Sequence, residues 1–315
     1  MLRTLPITML VLAALAAQPA SAQKMSSADS STDDSATAAD RQLYAVPTRF
    51  DRIGRIVAPV YINGLGPFRF MIDTGANRTV LSDEAVRRLG LPIEDGVIGV
   101  QGVNGHGIAP AVIVEHLDAG ELRFDNVRLP VLAGTVLDRI DGILGMDGLA
   151  GKKVTADFVR DRISIVESKG RRAPANRIVL RGQLISGQLM MVAGYVGRVP
   201  VKAIIDTGGM HTLGNSALQR AVAARHARGG RGSNTSVVDA TDQTVLGNTV
   251  ISPLISLGKA SIRNSAVICG DFDIFRVWGL NDEPALLIGM DILGTLAEVA
   301  IDYRRRELQL LTRGS

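Results

Sequence analysis

A ten-residue pattern that occurs twice constrains this chain more than any other feature of its sequence. The first copy, residues 70–79, reads FMIDTGANRT, and the second, residues 203–212, reads AIIDTGGMHT. Each copy is an apolar segment that ends in Asp-Thr-Gly, with a further Thr six residues after the Asp. A carboxylate placed directly after a buried strand costs free energy unless other groups hold it there. Because the chain meets that cost twice in the same local context, we expect the two carboxylates to act together.

The duplicated motif is part of a longer internal repeat. In both halves a strand, a glycine turn and a second strand precede the motif, and a capped helix follows it. An apolar-apolar-Gly element then recurs, ending at Gly145 and Gly289, and each half closes with an alternating strand. The Asp of the motif precedes that glycine by 72 residues in the first half and by 83 in the second. Short strands with one clear helix in each half predict an all-β fold of two related lobes.

Changes in composition predict the boundaries of the domains. Residues 43–168 form the predicted N-terminal lobe and residues 176–313 the C-terminal lobe. The polar segment 169–175, which contains a glycine and a proline, is the predicted linker. Residues 23–42 are rich in Ser, Ala, Asp and Thr and lack hydrophobic periodicity, so we interpret them as a disordered spacer.

The first 22 residues have the pattern of an export signal. Arg3 gives a positive start, residues 7–16 are apolar but short for a membrane span, and Ala20-Ser21-Ala22 fits a small-x-small cleavage site. We therefore expect cleavage after Ala22 and a periplasmic or secreted protein, with an uncleaved anchor as the alternative. No later segment is long and apolar enough to span a bilayer, so we expect no stable membrane span after the signal is removed.

Composition and motif spacing argue against several classes of protein. The single cysteine, Cys269, cannot form an intramolecular disulfide and lies in an apolar run, so we interpret it as a small buried hydrophobe. The four histidines lack the spacing of a zinc hydrolase, and no serine has a G-x-S-x-G setting. The net charge of +4 does not establish nucleic-acid binding. We expect no metal, no cofactor and no nucleic-acid partner.

The two motif carboxylates, Asp73 and Asp206, indicate a specific chemistry if a pseudo-two-fold axis brings them together. Like charges a few ångströms apart raise one apparent pKa and lower the other, so that the pair shares one proton. The ionised member can then take a proton from water while the protonated member donates to a carbonyl oxygen. This is general acid–base activation of water for attack on an amide.

The residues that follow each Asp suit this role. The glycine lets the backbone approach closely and supplies N–H donors, and the adjacent threonine can hydrogen-bond across the axis. The later threonine is placed to tie the loop to its own lobe. The predicted supporting residues are Thr74, Gly75, Thr79, Thr207, Gly208 and Thr212.

On these motifs the sequence resembles the retropepsin-like and pepsin-like aspartic proteases. The resemblance rests on the two Asp-Thr-Gly stretches and on Ile143-Leu144-Gly145 and Leu287-Ile288-Gly289, and it covers about residues 45–313. It implies a β-barrel-like lobe in each half, related by a pseudo-two-fold axis, with substrate bound in the cleft between them. It also implies that each apolar-apolar-Gly strand threads beside the active loop of its own lobe. Ala76 and the compact lobes are more similar to bacterial retropepsin-like proteins than to secreted pepsins.

The two halves differ at the tip of one hairpin and in one loop. Residues 100–108 read as a hairpin with Asn-Gly at its tip, and the resemblance places the flap over the substrate there; an ordinary surface hairpin is the alternative. The counterpart, residues 237–245, has no Gly-rich tip, so a second flap is not evident, and Gly209 stands where the family usually has Ala or Ser. The candidate flap residues are Gly102, Val103, Asn104, Gly105 and His106.

Several other titratable residues are interpreted as bystanders to this chemistry. We expect His106 to be solvated, His211 to be a neutral bystander, and His116 and His226 to be exposed. The two acids that follow the matched glycines, Asp147 and Asp291, are interpreted as caps or turn residues away from the cleft.

The sequence therefore predicts a monomeric, exported aspartic endopeptidase. Asp73 and Asp206 would activate water to hydrolyse peptide bonds in protein or peptide substrates, which we expect to be envelope or membrane proteins. One alternative is a catalytically weak or inactive bilobal peptide-binding protein of the same fold. A third hypothesis keeps the enzyme but pairs the first lobes of two chains.

Overall fold

The computed structural model describes residues 7–9 and 56–313, apart from positions 121, 135–136, 138, 161, 187–188, 226–232 and 240. The predicted cleavage site and the spacer, together with His226, lie outside the described residues. Across the described ranges, none of the helices combines the length and the apolar character that a bilayer span requires.

Six strands of the N-terminal half close into a barrel. They run in the order β6-β2-β3-β8-β4-β7, and β7 pairs back onto β6. In β2 the side chains of Ala58, Val60 and Ile62 are fully buried, whereas Pro59 and Tyr61 between them are exposed. This alternation places one face of each strand in the barrel core. The strands are β2 (Val57–Ile62), β3 (Leu65–Ile72), β4 (Val80–Ser82), β6 (His106–Ala119), β7 (Leu122–Leu132) and β8 (Gly142–Leu144).

Three further elements complete this half. Strand β5 (Val97–Gln101) forms an antiparallel hairpin with β6, and the short strand β1 (Ile7–Met9) lies parallel to β5. Helix α1 (Asp83–Leu89) begins directly after the carboxyl end of β4. The side chain of Ser82 accepts a hydrogen bond from the backbone of Ala85, which caps the helix.

The C-terminal half repeats this order of strands. Its strands run β12-β13-β20-β14-β19-β16-β15, and α2 (Ser216–Ala223) follows β14 as α1 follows β4. Two long strands of the first half are each broken in two here, at Pro253 between β16 and β17 and at Asn264 between β18 and β19. Proline cannot donate to a ladder, which explains the first break. The strands are β12 (Leu189–Val196), β13 (Val199–Ile205), β14 (Leu213–Asn215), β15 (Ser233–Val238), β16 (Thr244–Ile251), β17 (Ile255–Leu257), β18 (Ala260–Ile262), β19 (Ala266–Gly270) and β20 (Ala285–Ile288). Helices α3 (Asp273–Val277) and α4 (Met290–Leu293) complete the half.

A sheet of five strands joins the two halves. It runs β10-β9-β21-β22-β11, and its strands are β9 (Lys152–Asp157), β10 (Arg162–Glu167), β11 (Ile178–Ile185), β21 (Glu298–Asp302) and β22 (Glu307–Leu311). The closing hairpins of both halves meet edge to edge, with Ala156 opposite Val299 and Val154 opposite Ile301. All four side chains are buried, so both lobes share one core cluster. The predicted lobe boundaries remain predictions, because this sheet takes strands from both sides of them.

The prediction of an all-β, retropepsin-like fold is confirmed. A closed barrel and its repeated counterpart stand on one shared sheet, and the helices are short. This arrangement places the loops after β3 and β13 opposite each other.

Candidate active site

The loop that carries each carboxylate is held by a parallel strand of its own half. Strand β8 lies beside β3, and the N–H of Asp73 donates to the carbonyl of Leu144 at 3.1 Å. Strand β20 lies beside β13 in the same way, and the N–H of Asp206 donates to Ile288 at 3.0 Å. The glycine that ends each of these strands has no room for a side chain. A Cβ at Gly145 would stand 2.3 Å from the backbone of Arg78, which explains the repeated apolar-apolar-Gly pattern.

The carboxylates of Asp73 and Asp206 are wholly buried and face each other across the pseudo-two-fold axis. The Oδ1 atom of Asp73 accepts hydrogen bonds from two backbone N–H groups of its loop, at 2.8 and 3.0 Å. The Oδ1 atom of Asp206 accepts two equivalent hydrogen bonds, at 2.9 and 3.0 Å. The N–H of Gly209 donates the second of them, as the N–H of Ala76 does in the first lobe. Each carboxylate therefore has one fixed oxygen, held by matched donors.

Gly75 and Gly208 bring each loop against the opposite carboxylate. A Cβ built on Gly75 would lie 2.6 Å from Oδ1 of Asp206, and one on Gly208 would lie 2.2 Å from Cγ of Asp73. Any larger residue would push the loops apart. Glycine at both positions is therefore a requirement of the contact between the two carboxyl groups.

The free oxygens of the pair indicate a shared proton. In both residues Oδ2 is buried, and no described residue outside the pair forms a hydrogen bond with it. Burial, the charge of Asp206 and a hydrogen bond with that residue raise the pKa of Asp73 well above its ordinary value. Burial raises the pKa of Asp206 to about 6, against the lowering effect of its bonds with Asp73 and with two N–H groups. The pair therefore retains one shared proton at neutral pH.

Thr74 and Thr207 cross-link the two loops beneath the carboxylates. The hydroxyl of Thr74 donates to the carbonyl of Ile205 at 2.8 Å and accepts from the N–H of Thr207 at 3.0 Å. The hydroxyl of Thr207 donates to the carbonyl of Ile72 at 2.8 Å and accepts from the N–H of Thr74 at 3.1 Å. All four residues are buried, so each lobe completes the hydrogen bonding of the other.

Thr79 and Thr212 form hydrogen bonds with Asp147 and Asp291, which were interpreted from the sequence as caps or turn residues. The hydroxyl of Thr79 donates to Asp147 at 2.7 Å and its N–H donates to the same carboxylate at 3.1 Å. The hydroxyl and the N–H of Thr212 make the equivalent bonds to Asp291, at 2.7 and 2.9 Å. Interpreting these acids only as caps or turn residues missed this contact. Their recurrence at matched positions was the available signal.

The candidate flap ends in a tip that binds the C-terminal half. The backbone N–H of Asn104 donates to the carboxylate of Asp239 at 2.7 Å. Its side-chain amide donates to the carbonyls of Val237 and Gln243, at 2.9 and 2.8 Å. A Cβ on Gly102 would lie 2.2 Å from the Asp239 carboxylate, so this contact requires glycine there.

The tip of the flap is also buried in the second lobe. Val103 is fully buried in a hydrophobic cluster whose other members all belong to the C-terminal half, and its carbonyl accepts from the N–H of Ile274 at 3.0 Å. The side chain of Gln101 donates to Asp273 at 3.0 Å. The tip is therefore more buried than that of an ordinary surface hairpin, although the side chain of His106 itself is exposed. That the hairpin acts as a flap over a substrate stays a prediction.

The counterpart hairpin exists despite its lack of glycines. Strands β15 and β16 pair antiparallel at the position that β5 and β6 occupy in the first half. The carboxylate of Asp239 organises its turn by accepting from Thr241 and from the N–H of Gln243. The two hairpins thus meet tip to tip.

Other titratable residues of the sequence analysis stay outside this arrangement. His116 is exposed and its ring bonds Asp125, and His211 is partly exposed. Cys269 is buried, which raises the pKa of its thiol to about 12. Within the described ranges, no group of three or more His, Cys, Asp and Glu side chains is arranged to hold a metal ion.

Comparison with known proteins covers the first half of the site. Residues 58–147 match the sequence model of a family described as aspartyl protease. This segment contains the first motif, the candidate flap and the first apolar-apolar-Gly element. No curated protein matches the chain.

Proposed function

Because residues 58–147 match the sequence model of the aspartyl protease family, we propose that the whole chain is an aspartic endopeptidase with Asp73 and Asp206 as its catalytic pair. The observation that carries the proposal is the contact between the two buried carboxyl groups. Each is held by two N–H donors of its own loop and abuts the glycine of the opposite loop. The second lobe thus supplies the group that the matched domain lacks.

In the proposed reaction the pair begins with one proton, on Asp73. The ionised Asp206 takes a proton from a water molecule, whose oxygen forms a bond to the carbonyl carbon of the substrate. Asp73 gives its proton to the carbonyl oxygen, which produces a neutral gem-diol. The C–N bond then breaks as Asp206 transfers its proton to the amine and Asp73 regains a proton from a diol hydroxyl. The pair returns to its starting protonation state.

Substrate must reach carboxylates that are fully buried. We therefore propose that the two hairpins separate at their tips to admit a peptide and close again over it. The contacts that would break are those of Val103 and Asn104 with the C-terminal half. Closure would exclude water and strengthen the electrostatic effect of the pair.

Location and substrate are proposals that rest on the sequence. The pattern of residues 1–22 supports export to the periplasm or beyond, where envelope or membrane proteins would be the substrates. Both carboxylates come from one chain, which supports a monomer.

One observation favours the alternative of a peptide-binding protein without turnover. Both carboxylates are inaccessible, and the hairpin tips join through several hydrogen bonds and a buried valine. A protein that opens rarely would bind peptides without releasing products at a useful rate. Assays of cleavage and of binding on the same preparation separate the two functions.

The decisive experiment measures cleavage of a peptide library by the purified chain from pH 4 to pH 8. We expect Asp73→Asn and Asp206→Asn each to lower kcat by at least about a hundredfold, because each removes one proton-transfer group. Asp282→Asn, at an exposed acid, is the matched control and should leave kcat unchanged. Full activity in Asp206→Asn would refute the single-chain pair, and a solution mass of two chains would then favour pairing of first lobes. Binding of peptides without cleavage at any pH would favour the alternative function.

A further inference from the structure

A basic pocket lies at the sheet that joins the two lobes and shares no residue with the carboxylate loops. It is open to solvent and has a volume of about 600 Å³. Its lining comes from the start of the linker, from β11 and from the turn between β21 and β22. The lining residues are Lys169, Gly170, Arg181, Gly182, Arg304, Arg305, Arg306 and Glu307.

The charge of this pocket is strongly unbalanced. Its lining has five cationic side chains and one carboxylate, whereas the complete chain has a net charge of only +4. Among the lining residues of the described chain, the one ion pair joins Arg305 to Glu307. Lys169, Arg181, Arg304 and Arg306 are exposed, and none of them is within ion-pair distance of a described carboxylate. Arg181 lies opposite Glu307 in the strand pair, and its charge helps to lower the pKa of that carboxyl. Arg171 and Arg172 of the linker add two more exposed cations nearby in the chain.

The frame of the pocket is held by several hydrogen bonds and one ion pair. Arg305 donates to both oxygens of Glu307, at 2.9 and 2.7 Å, and to the carbonyl of Gly170 at 3.0 Å. The backbone N–H of Arg305 donates to Asp302 at 3.0 Å, and that carboxylate also accepts from Ser168 at 2.8 Å. The carboxylates of Asp302 and Glu307 are thus buried and already accept hydrogen bonds from residues that form the pocket wall. They offset the charge of the cations that face solvent only in part.

The turn between β21 and β22 has an arginine, Arg306, in a backbone conformation that arginine rarely adopts. Arg306 has a φ of 53°, in the left-handed region that glycine and asparagine adopt with less strain. Its carbonyl accepts from the N–H of Gly182 at 2.9 Å, which fixes the turn against β11. The turn therefore holds the backbone of Arg306 at the mouth of the pocket.

We propose that this pocket binds a small, multiply charged anion that bears phosphate groups. One guanidinium group can donate two parallel hydrogen bonds to two oxygens of a phosphate. Several guanidinium groups around one pocket therefore suit a ligand with more than one phosphate. The volume lies within the usual range of small-ligand sites, roughly 300 to 1,000 Å³, and exceeds what one phosphate needs. The ligand could be a free polyphosphate or the headgroup of an anionic lipid, since both present the same chemistry. This site is independent of the proposed peptidase activity.

Titration calorimetry with sodium tripolyphosphate on the purified chain tests the proposal. We expect saturable binding that Arg306→Asn weakens by roughly tenfold or more, as expected for the loss of a charge-assisted hydrogen bond. Asparagine suits the left-handed turn, so this variant should stay folded, which circular dichroism checks. Arg263→Asn removes an exposed arginine outside the lining and should bind as the original chain does.

Cosedimentation with phosphatidylglycerol vesicles distinguishes the sources of the ligand. Vesicle binding that Arg306→Asn also weakens would support the pocket and add lipid headgroups to its ligands. Vesicle binding without tripolyphosphate binding would overturn the pocket in favour of a flat basic surface. Absence of any binding, or equal weakening by Arg306→Asn and Arg263→Asn, would also overturn the proposal.

Discussion

Thr74 and Thr207 each span both lobes of the protein. Each hydroxyl donates to a backbone carbonyl of the opposite loop at 2.8 Å and accepts from the backbone N–H of the other threonine. These partners are more than 130 residues apart in the chain. The separation of the two carboxylates is therefore set by side chains next to them and does not depend on the distant shared sheet alone.

Replacing Thr207 by valine should destabilise the protein by about 2 to 5 kcal/mol. The change keeps the shape but leaves the N–H of Thr74 and the carbonyl of Ile72 buried without a partner, and each such group costs about 1 to 3 kcal/mol. Thr207→Ser keeps the hydroxyl and should cost about 1 kcal/mol for the lost methyl group. Urea denaturation measures both. Equal losses in the two variants would show that the hydroxyl is not what joins the lobes.

The hydrogen bonds within each motif could be predicted from sequence because they are local, and the duplication of the motif predicted that the two carboxylates act together. A carboxylate after an apolar strand, followed by glycine and threonine, defines its own hydrogen bonds within a few residues. The contact of Thr79 with Asp147 could not be predicted in this way, since the two residues are 68 positions apart. An acid after Gly145 has the same local pattern as a helix or turn cap, and only the fold shows which group it faces.

The second hairpin illustrates a different limit of prediction. Its tip has no Asn-Gly pair, so no tight turn is predicted at residues 239–243. The buried carboxylate of Asp239 accepts from Thr241 and Gln243 and shapes the turn in place of glycine. The sequence predicts that Val103 lies in a flap. It does not predict that the side chain of Val103 enters the core of the other lobe, because this contact depends on how the two lobes pack together.

Replacing Asp147 by asparagine should lower the free energy of unfolding by about 1 to 3 kcal/mol. The carboxylate accepts from both the N–H and the hydroxyl of Thr79, and an amide offers only one acceptor to those two donors. Asp291→Asn should have a similar effect, because Thr212 makes the same two bonds to it. Asp95→Asn, at an exposed acid, is the control for thermal and urea unfolding. A loss in only one lobe would contradict the symmetry of the contact.

Replacing Asp239 by alanine should release the tip of the flap. The change removes the acceptor for the N–H groups of Asn104, Thr241 and Gln243. We expect hydrogen–deuterium exchange of the amides of residues 102–106 to accelerate at least tenfold, while those of β2 and β3 keep their rates. A tenfold acceleration corresponds to about 1.4 kcal/mol, close to the lower end of the range of roughly 1.5 to 3 kcal/mol for one hydrogen bond to a charged group.

His106→Ala is the matched control for the released flap, since the side chain of His106 is exposed and lies in the same hairpin. If opening limits access of the substrate, kcat/KM should rise in Asp239→Ala and stay constant in His106→Ala. Unchanged exchange at the tip of Asp239→Ala would show that Val103 alone holds it. Faster exchange with unchanged kcat/KM would show that opening is not rate-limiting.

The buried pair should make the protein less stable as the pH rises. A carboxyl group whose pKa is raised on folding binds its proton more tightly in the folded state, so stability falls as pH rises above the ordinary value. For Asp206 that window runs from its ordinary pKa of 3.8 to about 6, and burial of Asp73 extends the trend to higher pH. The cost from Asp206 alone is on the order of 3 kcal/mol at pH 7. The double variant Asp73→Asn, Asp206→Asn should therefore match the original chain near pH 4 and exceed its stability at pH 7. Urea denaturation at both pH values, with Asp282→Asn as the exposed control, measures the difference, and a difference that does not grow with pH would contradict the shared proton.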